Sequence, residues 1–298
     1  MSSLHSDTAT PGARHARPGE ASGRVRWNIE RDVIRGRRFD LDRKFLPDGL
    51  SRVGELPFLS SGEARLLSQV QGRTYANMFA LVERFVGAGA PAPNEADRLG
   101  DPAALAALAD AQMPPGYRFV PEACAAAGAL PATRSDWAMM ALTLGIELFA
   151  LAHYRSSIGA AHELCPLWRD VFRFHWQQQS QHAIVDEMAW RLEHARLTEA
   201  ERDRGVDDLI ALVGAADEAA RAQAAADAGY FLASAGHAFG SDEAAAVKDR
   251  LFAAYRWQYI VSGAQEPRFG EVLQALTTRA QRQRIALALA PIAEHAAS

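Results

Sequence analysis

His175, Gln179, His182 and Asp186 recur at intervals of four, three and four residues. At 3.6 residues per turn they fall within about 40° of one line along a helix. Two imidazoles and a carboxylate on one face have the chemistry of a divalent-metal site, because both groups present lone pairs to a cation. The competing reading is a hydrogen-bonded polar row, with the imidazoles bonded to glutamine or backbone. Taken alone, a histidine pair at helical spacing favours the polar row, since metal sites in bundles take carboxylates from several helices. Phe172, Ile184, Met188 and Leu192 are apolar neighbours on the same helix, which predicts that the helix is largely buried.

That helix is expected to start at Pro166, a residue suited to a first helical turn, and to run to about Arg196. Before it, Ser135-Asp136 caps a helix from Trp137 to about Ile158 that is apolar almost all round, with Glu147 at its centre. A carboxylate there requires a cation or a metal. His153 lies about 120° round the same helix from Glu147 and reads as a core histidine. A long first helix opens at Ser60 with Glu63 in capping-box order and runs to about Phe85, with Leu66, Val70, Tyr75, Met78, Val82 and Phe85 on its apolar side. Pro102 to Gln112 is short and helical, stopped by Pro114-Pro115-Gly116. Thr198 with Glu199 opens another helix, several alanine-rich helical segments follow to about Ala235, and Asp242 to Ser262 and Pro267 to about Glu294 complete the chain. No strand alternation persists, so the expected class is all-α.

The domain reading is a disordered tail over 1–24, rich in Ser, Gly, Pro and Arg, followed by one helical domain over 25–298. Within it, residues 25–59 form an irregular arm packing Trp27, Val33, Phe45 and Leu46 against the helices, and 198–298 are accessory helices. The chain of 298 residues is long enough for a sizeable core. A net charge of −4 argues against a nucleic-acid partner. No run approaches 18 consecutive apolar residues, so no membrane span is expected. Cys124 and Cys165 are isolated, which suits a reducing, cytoplasmic location. Cys165 beside Pro166 reads as structural, and Trp176, Trp190 and Trp257 as core or interface anchors.

The run His175-x-x-x-Gln179-x-x-His182 with Asp186 resembles the last ligand helix of ferritin-like di-iron oxygenases of the aryl-amine N-oxygenase type, whose pattern is His-x-x-x-Glu-x-x-His. The segment Gln69 to Glu83 resembles the family's first helix and Leu144 to Phe149 its third, each of which donates a glutamate; Glu266 to Leu273 is similar to a segment of bacterial relatives. The resemblance implies a ferritin-like four-helix bundle with additional C-terminal helices, and Glu83, Glu147, His175 and His182 as metal ligands. Gln179 is a substituted ligand, a neutral amide where the family has a bridging carboxylate. Asp186 is placed behind His182. The family's Glu-x-x-His of the second helix has no counterpart, the chain reading Ala109-Asp110-Ala111-Gln112 where it is expected.

Charge counting then limits the cofactor. Two ferrous ions bring about four positive charges into a low-dielectric interior, and Glu83 and Glu147 answer only two of them. A metal-free or weakly bound state ranks first, one iron second and two irons last. The functional expectation is a metal-dependent oxidoreductase of oxygenase type acting on a small organic substrate. The alternative is a metal-free pseudoenzyme that serves as a binding or partner protein, and a homodimer is among the expected assemblies.

Overall fold

The computed structural model describes residues 28–89, 102–121 and 135–298, without the side chains of 83–89, 102–103, 178 and 181. The tail reading over 1–24, Trp27, Cys124 and the Glu83 side chain lie outside the described residues. The class is all-α: the described residues form helices, and their one bridge in β geometry is the isolated pair Lys44 and Leu164. We number the longer helices α1 (Ser61–Gly89), α2 (Pro102–Gln112), α3 (Asp136–His153), α4 (Pro166–Arg196), α5 (Glu199–Ser234), α6 (Ser241–Arg256), α7 (Pro267–Leu276) and α8 (Arg279–Ala297).

Local chemistry sets the starts. At α1, the Ser60 backbone N–H donates to Glu63 Oε2 at 2.8 Å while the Glu63 N–H donates to Ser60 Oγ, the reciprocal bonding of a capping box. Thr198 and Glu201 repeat this at α5, and Ser135 accepts from the Ala138 N–H at α3. The helix α1 passes Phe85 and continues to Gly89. Two expectations change. The region after Thr198 is one 36-residue helix rather than several segments. Pro267 to Glu294 is two helices, because Thr277 is extended (φ −133°) and Thr278 caps α8 by accepting from the Gln281 N–H.

Helices α3 and α4 run antiparallel, since Trp137 near the start of one meets Trp190 near the end of the other with ring centroids 5.1 Å apart. The Trp137 Nε1–H donates to His194 Nδ1 at 3.1 Å and fixes the register. Over Asp136–Ile158 the mean hydropathy reaches 1.3, a value that would suit a bilayer, but most of that segment is buried inside the protein. The arm packs as expected, with Val33, Phe45 and Leu46 in the core. It is ordered by short helical turns, Asp48–Ser51 among them.

Gly72 is where the arm and α1 touch. A Cβ there would lie 2.5 Å from Phe45 Cβ, too close for any packed pair. Gly72→Ala is therefore expected to destabilise the fold by about 1–3 kcal/mol through overpacking, read as a lower urea midpoint at unchanged m-value.

Candidate functional site

The polar stripe of α4 forms, and it climbs from the core to the surface. His175 and Gln179 are buried, whereas His182 and Asp186 are half-buried. The His175 ring lies 4.8 Å from Phe79 of α1, with Phe172 edge-on at 6.3 Å. From His182, Nδ1 reaches Gln179 Oε1 at 3.1 Å and lies 3.9 Å from Oε1 of Glu147, the buried carboxylate of α3. Asp186 hydrogen-bonds to Glu147. Burial raises the Asp186 carboxyl above its ordinary range, and the bond to Glu147 and the charge of His182 pull it partly back.

The buried setting expected for α4 is only half present. Its inner face is buried at Phe172 and Trp190, but Ile184 (52 %), Met188 (52 %) and Leu192 (66 %) are exposed. The reason is geometric: α3, with Tyr75 and Phe79 of α1, covers one side of α4, and the neighbours of the stripe at 184, 188 and 192 point the other way.

The structure brings Glu147, His182, Gln179 and Asp186 to one seam between α3 and α4 and puts His175 a turn further in, against aromatic rings. Glu83 is helical, one turn beyond Phe79, and its side chain is outside the described residues. Among the described residues no three His, Cys, Asp or Glu side chains converge closely enough to hold an ion. Gln179, a neutral amide, takes the Nδ1 side of His182. Among the described residues, His182 and Gln179 bond each other and Asp186 bonds Glu147.

His153 behaves as a core histidine: Nδ1 meets Tyr75 Oη at 2.9 Å, Nε2 meets Ser262 Oγ at 3.0 Å, and burial depresses its pKa to about 4. Cys165 is buried, and its Sγ accepts from the Asp40 N–H at 3.4 Å.

A second polar centre escaped the sequence reading. Asp227 of α5 is fully buried and accepts from Thr74 Oγ1 (2.6 Å), from Gln223 Nε2 (2.8 Å) and from Tyr255 Oη. Burial pushes its carboxyl up to about 7 against these bonds. Thr74 Oγ1 continues to Tyr117 Oη at 2.9 Å, and the Arg73 guanidinium lies 3.9 Å over the Tyr117 ring. The available signal was Gln223 and Asp227 one turn apart among alanines. A polar pair in an otherwise small-residue helix face marks where another helix supplies partners.

An apolar cavity of about 100 Å³ lies between α3, α5, α7 and α8. Ala141, Ile146, Leu209, Val213, Leu273 and Leu289 are among its walls. Gly145 and Ile146 line it immediately before Glu147, so α3 presents the carboxylate to α4 and its opposite side to the cavity.

Compared with known proteins, the chain matches no family model, no curated protein and no solved structure.

Proposed function

We propose that this is a metal-free helical binding protein that takes a small apolar molecule in the cavity between α3, α5, α7 and α8. The cavity is the observation that carries this reading. Its walls are almost wholly aliphatic and aromatic, and apolar cavities of about 150 Å³ stay dry and bind benzene or xenon. The α3–α4 seam supports the metal-free half, since His182 Nδ1 bonds Gln179 Oε1 and Asp186 bonds Glu147. Burying roughly 150–200 Å² of ligand at about 25 cal/mol per Å² is worth about 4–5 kcal/mol, so benzene is expected to bind with a Kd of about 0.2–1 mM.

Titration with benzene, followed by amide chemical shifts of cavity residues, tests this. Saturation is expected in the wild type and its loss in Ala288→Leu, which fills the cavity from its half-buried rim. An unchanged response in that variant, or none in the wild type, overturns the binding site.

The runner-up is the oxidoreductase reading, an iron-dependent ferritin-like enzyme. It is favoured by one feature, the closeness of His182 to Glu147. Stoichiometric iron in protein grown on iron-supplemented medium, lost in Glu147→Ala, would replace the metal-free reading with this one. Gln179→Glu restores the carboxylate of the family pattern and separates the two cases: iron gained by the variant alone identifies a seam that lacks only that charge.

A further inference from the structure

A second, much smaller cavity of about 20 Å³ lies between α1, α2 and α4. Arg73 and Trp168 border it, and the rest of its wall includes the methyl groups of Ala76, Leu105, Ala106 and Ala109. Arg73 is 5 % exposed and Trp168 2 %, and Arg73 Nε, Arg73 Nη1 and Trp168 Nε1 are buried N–H groups without a hydrogen-bond partner in the protein. Buried donors are nearly always paired, and an unpaired guanidinium N–H is the costlier kind. Three such donors on the two residues that border the space call for a guest that accepts hydrogen bonds.

We propose that this cavity binds a single monatomic anion of the halide class. The volume exceeds the 10–15 Å³ or so that one water-sized sphere needs, so the space takes one small guest. A halide accepts several N–H bonds and offers no hydrogen of its own, which suits walls made of methyl groups. Arg73 supplies the positive charge. Its Nη2 is bound to Asp110, but that carboxylate is 66 % exposed and screened by solvent, and Nε and Nη1 have no partner within the protein. The Asn77 amide also borders the space, with Nδ2 committed to Arg73 O and Tyr117 Oη.

Bromide provides the probe. Crystals grown in sodium bromide are expected to show an anomalous peak in this cavity, and the melting temperature is expected to rise saturably by about 2–4 °C in chloride or bromide over gluconate at equal ionic strength. Trp168→Phe removes one donor while keeping the ring stacked on Phe45, 4.7 Å away, and should reduce the anion-specific shift by half or more. Arg73→Lys keeps the charge without the donor fork and should abolish it. Density for water only in bromide crystals, or a melting temperature that follows ionic strength whatever the anion, overturns the proposal. The diffraction test uses the wild type and stands even if a variant fails to fold.

Discussion

Asp217→Ala is expected to lower the free energy of unfolding by about 3–5 kcal/mol, the cost of leaving a buried charge alone. Arg256 of α6 donates from Nε to Asp217 Oδ1 and from Nη2 to Oδ2, both at 2.7 Å, so the pair is a planar two-bond fork between α5 and α6. Both side chains are buried, and the guanidinium rests 4.1 Å over Phe252. Removing the carboxylate strands a guanidinium that cannot neutralise itself, because arginine does not deprotonate in proteins. Replacing both partners is a different case. Asp217→Leu with Arg256→Met leaves no charge behind and should recover most of the loss. Urea unfolding of the two single variants and the pair measures this. A double variant no better than the worse single one would show that the fork supplies net stability rather than only avoiding a penalty.

Asp227→Asn is expected to change how stability depends on pH. The folded carboxyl titrates near 7, against an ordinary 3.8. Between those values the folded protein holds a proton that the unfolded chain has lost, so Asp227 stabilises fully below about pH 4, progressively less as pH rises, and not at all above about pH 7. A gap of about three units corresponds to about 4 kcal/mol. His153 acts with the opposite sign. Its folded pKa is depressed from 6.5 to about 4, so the unfolded chain binds more protons in that window and stability rises with pH. The two contributions oppose each other between about pH 4 and 6.5, which predicts a flat wild-type profile there. Asp227→Asn should uncover a rising profile and His153→Gln a falling one. Denaturation series from pH 4 to 8 decide the matter: a variant curve parallel to the wild type would mean that its group titrates normally in the core.

Legibility from sequence varied with the distance over which the determining interaction acts. The starts of α1, α3 and α5 were readable because capping uses residues three apart, and that of α4 because Pro166 suits a first turn. The break at Thr277-Thr278 was missed, although Thr278 with Gln281 is also a capping box. Apolar periodicity on both sides of it read as one helix. The buried Glu147 was readable as a carboxylate in want of a partner, and His182 and Asp186 answer it.

The sequence by itself determined an all-α chain, the polar row on α4 and the need for something to meet Glu147. Helical spacing and burial cost are local properties, which one strand of text contains. Only the tertiary structure decided that Ile184, Met188 and Leu192 face outward, that Gln179 engages His182, and that Asp227 gathers Thr74 from 153 positions away. Which face of a helix is covered, and which side chains line a cavity such as that of Arg73 and Trp168, depends on how helices are rotated against one another. No single helix encodes that rotation: it follows from all their contacts at once.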